Sequence, residues 1–320
     1  MNILGFDIGG TKSIVGVADE SGRVLAMRRL ETRGALGANQ ALERMKAAAR
    51  EALEEAGVTV DLIGIGCGGP LDRASGTLHT VPNLPGWEGV CLTREFGDEF
   101  GVQAFLENDA NAAAMGEHLF GAGRGVDDFV FLIVGTGIGG GIIANGRIYR
   151  GYGDNAGEIG HHKIALDGPP CPCGDRGCLE SFASGTSIAR IACERLPNQP
   201  HTIIRGWISS PEDVTAEMVA RGAREGDEFC LAVWTECMRN LGIGVANIVN
   251  ILNPKLVILG GGVTKAGDML FEPVRRVAME RAMPALAAGV EIVPAANGEL
   301  MGLMGAFAVA IDNVRSPRLT

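Results

Sequence analysis

Asn2-Ile3-Leu4-Gly5-Phe6-Asp7-Ile8-Gly9-Gly10-Thr11-Lys12-Ser13-Ile14-Val15-Gly16-Val17-Ala18 opens the chain. Its two ends are apolar and rich in branched residues and its middle carries adjacent glycines, which predicts strand Asn2 to Phe6, a tight turn, and strand Ser13 to Ala18. An Asp19-Glu20-Ser21-Gly22 turn and the run Val24 to Leu30 extend the pair into an antiparallel meander. Ala38, Leu42, Met45, Ala49, Leu53 and Ala56 then recur at helical spacing up to Gly57, and Leu62 to Gly66 reads as a buried strand. The same grammar returns at mid-chain. Phe129 to Val134 predicts a strand, Gly135 to Gly141 a glycine loop, Gly141 to Ala144 a second strand, and Asn145-Gly146 a turn into Arg147 to Arg150.

Mixed strands followed by helices, given twice with a glycine loop after the first strand of each half, predict an α/β chain of the actin-like (ribonuclease H-like) ATPase fold rather than a Rossmann sheet. That fold implies two lobes with an interlobe active-site cleft holding nucleotide. The expected division is a small N-terminal lobe, 1–112, and a large lobe, 113–299, with a C-terminal helix, 300–320, packing back on the first. Leu300, Leu303, Met304, Phe307, Ala308 and Ile311 form the apolar face of that helix.

Composition narrows the function. A formal net charge of −10 with 5% aromatic residues leaves little for a basic groove with stacking platforms, so no nucleic-acid partner is expected. Met1 to Gly10 has no basic region or cleavage site, and no apolar run approaches the ~18 residues of a membrane span, so a cytoplasmic protein without membrane partners is expected. The 48 glycines exceed ordinary use, and part of the excess is expected in tight loops or beside a ligand.

Three glycine loops follow strands. In Asp7-Ile8-Gly9-Gly10-Thr11-Lys12, backbone N–H groups and the Thr11 hydroxyl can face a phosphate, Lys12 adds charge, and Asp7 can hold magnesium through water; a plain hairpin turn is the other reading. Gly135-Thr136-Gly137 opens the second loop and Gly260-Gly261-Gly262 the third. None is a GxxxxGK[ST] loop or a GxGxxG turn opening a helix, which removes support for those nucleotide folds.

Asn108-Asp109 follows the run Val102 to Leu106 and precedes the helix Ala110 to His118. Asp109 is either a helix N-cap or a general base for a hydroxyl attacking the γ-phosphate. Glu158, in Gly157-Glu158-Ile159-Gly160-His161, and Glu180 are suited to paired hydrogen bonds with sugar hydroxyls, and Asn83 offers an amide between Pro82 and Pro85. Cys171-Pro172-Cys173-Gly174-Asp175-Arg176-Gly177-Cys178 gathers three of the eight cysteines in a loop, with His161 upstream. Such a set can form a closed Cys3His zinc site that braces structure instead of performing chemistry, and the alternative is three independent thiols.

These residues resemble the ROK family of repressors, open reading frames and sugar kinases. The likeness rests on Gly157 to His161 followed by the CxCGxxGCxE pattern from Cys171 to Glu180, and extends through Asp7 to Lys12, Gly64 to Pro70, Asn108-Asp109, the Gly135 loop and Gly260 to Gly262. The resemblance implies that Asp109 is the catalytic base, that Asn83, Asn108, Glu158, His161 and Glu180 bind sugar, and that His161, Cys171, Cys173 and Cys178 bind structural zinc. It likewise implies that Asp7, Gly9, Gly10, Thr11, Lys12, Gly135, Thr136, Gly137, Gly261 and Gly262 bind MgATP, and that the chain forms a homodimer. Gly68 departs from the proline common in family kinases and stands beside the sugar. Pro82 to Trp87 and Glu180 to Ser184 resemble glucose-phosphorylating members, so phosphorylation of a hexose at its 6-hydroxyl, with glucose as acceptor, is expected. The alternatives are an N-acetylglucosamine or N-acetylmannosamine kinase and a sugar-sensing regulator without kinase activity. Regulators of the family carry a winged helix-turn-helix before the first glycine loop, which begins here at Asp7.

Overall fold

The computed structural model describes residues 1–34, 37–81 and 83–315. Two compact units emerge: one contains Met1–Asp127, Gly141–Ala156 and the chain from Ala295 onward, the other Asp128–Gly140 and Gly157–Pro294.

In the first unit, β1 (Asn2–Ile8), β2 (Lys12–Asp19) and β3 (Val24–Glu31) form the expected meander, followed by α1 (Ala38–Ala56) and β4 (Leu62–Cys67). A short pair, β5 (Leu71–Asp72) and β6 (Thr77–Leu78), leads to α2 (Leu92–Phe100), β7 (Ala104–Asn108) and α3 (Asp109–Phe120). The sheet order is β3-β2-β1-β4-β7, with β1, β4 and β7 parallel.

Strand alternation sorts the two faces of this sheet. Leu4, Phe6 and Ile8 join Met45, Ala49 and Phe96 in one core, where the Phe6 and Phe96 rings stack 3.9 Å apart. Ile3 turns the other way, into a second core with Leu303 and Phe307 of the last helix. Gly5 lies on this second face because any Cβ there would come within 2.7 Å of Phe307, and a Cβ at Gly64 would run into the Ala306 carbonyl. Much of the glycine excess therefore serves helix-on-sheet contact, beyond the loops where it was expected.

The second unit contains β8 (Phe129–Val134) and the start of β9 (Ile138–Ala144), which runs on into the first unit and turns into β10 (Arg147–Ile148). Next come α4 (Glu180–Ala183), α5 (Gly185–Arg195), α6 (Ala216–Arg224), α7 (Glu228–Leu252), β11 (Leu256–Gly260), α8 (Asp268–Arg281), α9 (Pro284–Ala287) and β12 (Glu291–Pro294). The strand order is β10-β9-β8-β11-β12, which repeats the third-second-first-fourth-fifth pattern of the other sheet.

The mid-chain glycine loop is shorter than expected, since β9 already begins at Ile138. Gly140 and Gly141 are strand residues whose missing side chains make room for Ile159 and Ala114 respectively. The last helix, α10, spans Met301–Arg315, and positions 316–320 of the expected helix lie outside the described residues. All of α3 stays with the first unit, although the boundary expected at 112/113 falls inside it. The reason is contact with α10, so close that a Cβ at Gly116 would lie 2.7 Å from the Gly305 nitrogen. Among the described residues, no helix is long and apolar enough to cross a membrane.

Candidate active site and metal centre

In the first unit, strand register places Asp7 beside Gly66, Ile8 beside Cys67, and Cys67 beside Asn108. The carboxyl ends of three parallel strands therefore bring Asp7, Gly68 and Asn108-Asp109 to one sheet edge, where ligands bind in open α/β sheets. Asp7 shares the face of Ile3 and Gly5 and abuts Gly302 in the first turn of α10, a position with no room for a side chain. Gly9 N–H donates to the Lys12 carbonyl at 3.1 Å, which closes the turn before β2. Thr32 holds that turn from behind. It is fully buried, donates its hydroxyl to the Gly9 carbonyl at 2.6 Å, and sits 2.7 Å from the Ser13 hydroxyl. Asn83 packs against Gly10, where a Cβ would come 2.8 Å from its own.

The two readings of Asn108-Asp109 resolve by position. Asn108 is the N-cap: its side-chain oxygen accepts the N–H groups of Ala110 at 3.0 Å and Asn111 at 3.3 Å. Asp109, as first helical residue, accepts from Ala110 N–H at 2.8 Å and keeps accessible surface. Protein mass around the carboxylate raises its pKa by desolvation, against the pull of backbone N–H groups. Asp7 is pushed up to about 7, first by burial and then by the charge of Asp109. Between them, the Cys67 thiol is fully buried and driven upward by the same causes, so it stays protonated. A Cβ at Gly68 would stand 3.8 Å from Asp109 Oδ2, so this position leaves space beside the carboxylate.

In the second unit, Gly135 N–H donates to the Gly137 carbonyl at 2.9 Å, and Gly185 N–H at the start of α5 donates to the Gly135 carbonyl at 2.7 Å. Thr136 joins the same junction through its carbonyl, which accepts from Thr186 N–H at 3.4 Å. Glu180 Oε2 accepts the Ile138 N–H at 2.8 Å, tying that carboxylate to the end of the loop. Gly261 has φ of +95° and presses on the Val134 backbone, and Gly262 opens a short helical turn. Glu158 is exposed, and its Oε2 lies 3.8 Å from His161 Nε2.

His161 turns its other nitrogen to the cysteines. Nδ1 lies 3.5 Å from Cys171 Sγ, Cys173 Sγ lies 3.6 Å from Cys178 Sγ, and the four ligand atoms all fall within 4.8 Å of one another. Bond lengths of ~2.3 Å to sulfur and ~2.0–2.1 Å to nitrogen give tetrahedral edges of roughly 3.5–3.8 Å, so this donor set fits zinc. Burial pushes the Cys171 thiol up to about 11, while the Asp175 N–H draws Cys173 downward. Metal binding here would release protons. Lys163 Nζ lies 2.9 Å from both Cys178 Sγ and Asp175. His162 stands apart, its Nδ1 at 2.6 Å from the Ile159 carbonyl. Cys67, Cys91, Cys193, Cys230 and Cys237 are free thiols away from the cluster.

Thr32, Lys163 and Glu107, the last 1% exposed under the Asn108 turn, are absent from the sequence-based set. Their residue types are commonplace on surfaces, and no local pattern sets them apart.

The sequence model of the ROK family matches residues 3–313. The chain belongs to the ROK family. It is similar to the glucokinase of Thermotoga maritima, 37% identical over 314 residues and 98% of either chain. The crystal structure of the ROK hexokinase from Thermus thermophilus superposes with a TM-score of 0.83 at 34% identity, covering 98% of this chain and 99% of that one. The ROK glucokinase of Streptomyces griseus, in complex with glucose and AMPPNP, gives 0.82 at 34% identity, covering 98% and 100%. With the duplicated sheet order, these neighbours establish the α/β actin-like ATPase fold for this ROK chain.

Proposed function

We propose that this ROK protein is an ATP-dependent hexose kinase that transfers the γ-phosphate of MgATP to the 6-hydroxyl of glucose. The observation carrying the reading is Asp109: an accessible carboxylate at the β7–α3 junction, on the same sheet edge as Asp7 and its glycine turn. Similarity to a glucokinase along 98% of the chain supports the acceptor.

A carboxylate with an ordinary pKa of ~3.9 cannot ionise a hydroxyl near ~15.7 in the ground state. Asp109 instead takes the proton late, as the sugar oxygen bonds to phosphorus in a loose transition state. Its raised pKa narrows the mismatch in the useful direction. The amides of Gly10 and Gly137, with Thr11, Lys12 and Thr136, hold the phosphates in turns closed by the Gly9 and Gly135 N–H groups, and Gly261-Gly262 face the adenosine. Asp7 holds magnesium through water, the ion supplying charge neutralisation on the phosphates. Asn83, Asn108, Glu158, His161 and Glu180 orient the sugar hydroxyls beside Gly68. Zinc held by His161, Cys171, Cys173 and Cys178 braces the loop before Glu180 and fixes the His161 ring, so that Nε2 remains for sugar. A homodimer and a cytoplasmic setting belong to the same reading.

Phosphorus NMR of the protein incubated with MgATP and glucose should show a sugar 6-phosphate and ADP in equal amounts. Asp109→Ala should lower turnover by roughly 10²-fold or more with little change in MgATP affinity. ATP hydrolysis without phosphosugar would refute the acceptor, and near-normal turnover in the variant would refute the base.

A further inference from the structure

Glu107 is the penultimate residue of β7, immediately before Asn108-Asp109, and is 1% exposed. A carboxylate so enclosed is costly unless paired and hydrogen-bonded. One oxygen accepts the Asn108 N–H at 3.1 Å and the Asn111 side-chain amide at 3.3 Å. The other accepts from Arg150 Nε at 2.8 Å and lies 3.8 Å from Arg73 Nε. Arg73 Nε stands a further 3.8 Å from Asp154, and the Arg150 carbonyl accepts the Ala156 N–H at 2.9 Å.

The loop 149–156 is thus pinned at Arg150 and Asp154 to the strand end that presents Asp109, and the chain continues from it directly into Gly157-Glu158. Its large side chains do not hold it down, since Tyr149 is 55% exposed and Tyr152 is 111% exposed. A segment with so few apolar contacts depends on its polar pins for order.

We propose that Glu107 is a positioning residue of the phosphoryl-acceptor site: it fixes the turn carrying Asp109 directly and, through Arg150, the loop leading into Glu158. The kinetic consequence rests on the hexose-kinase reading, whereas the anchoring of the loop does not. Glu107→Gln keeps an acceptor for Asn108 and Asn111 and removes the nearer of the two charges facing Arg150, the other being Asp312 at 3.9 Å. Arg150→Lys keeps a charge and loses the planar donor geometry.

Steady-state kinetics of Glu107→Gln should show kcat lowered by roughly 10- to 100-fold and the glucose KM raised several-fold, with the MgATP KM unchanged. Arg150→Lys should shift both constants less, in the same direction. Chymotrypsin should cut the native, ligand-free variant faster at Tyr149 or Tyr152 than it cuts the wild type. Wild-type kcat and glucose KM in Glu107→Gln would overturn the proposal. So would a loss of activity fully accounted for by loss of folded protein with both KM values unchanged, because the network would then be only a stabiliser. Should Glu107→Gln not fold, Asp154→Asn, whose side chain is 41% exposed, tests the second pin by the same two readouts, and no change in either overturns the anchoring. If the wild type phosphorylates no sugar, the hexose-kinase reading fails by itself, and the cleavage rates of these variants alone decide the anchoring.

Discussion

Asp7 bears a cost of ionisation set first by its burial and then by the charge of Asp109 at the same sheet edge. Asp7 carries a testable consequence. Its native pKa of about 7 exceeds the ordinary 3.8, so the folded chain holds a proton that the unfolded chain releases. The stability from this group is complete below 3.8 and disappears as pH rises to about 7. Asp7→Asn removes that titration. In thermal melts of ligand-free protein between pH 5 and pH 8, the melting temperature of Asp7→Asn relative to wild type should climb with pH and level off above about 7. A constant difference would show that the pair does not titrate this way. At this scale the sequence was readable where ligand chemistry is distinctive: three cysteines and a histidine have few other reasons to share a glycine-rich loop. Glu107 and Thr32 were not, because a buried glutamate and a surface glutamate are the same letter until tertiary contacts are known.

Elements were legible where one periodicity dominated. The helix Ala38–Ala56 and the strand Phe129–Val134 appear at the expected bounds, since each has an uninterrupted apolar pattern and a glycine stop or turn. β9 was shortened by the expectation that glycines mean loop, when Gly140 and Gly141 are demanded by neighbours pressing on a strand. The cysteine loop is the element whose order would depend most on an ion held by His161, Cys171, Cys173 and Cys178, because Cys173 is exposed and Cys171 and Cys178 have little apolar company in sequence. Metal analysis should return zinc on the chain. Stripping it with a chelator should raise the glucose KM several-fold while the MgATP KM holds, and zinc should restore the former. An unchanged glucose KM in metal-free protein would separate the cysteine cluster from the sugar residues.

The duplicated strand order could be inferred from the repeated strand, glycine turn and strand, since that grammar constrains how a chain can re-enter its own sheet. The composition of the first unit could not. It gathers three separated stretches of chain, and what joins the first to the last is buried and non-local: Glu117, fully enclosed, accepts the N–H groups of Ala122, Ala296 and Asn297 at 2.7, 3.1 and 2.9 Å. No local pattern announces such a clasp. The central claim belongs to the whole molecule and is tested most directly by ADP release with MgATP across glucose, N-acetylglucosamine, N-acetylmannosamine, mannose and fructose, compared as kcat/KM in zinc-replete protein. The account predicts sugar-dependent release with glucose the preferred acceptor; no sugar-dependent turnover with any of the five would contradict it.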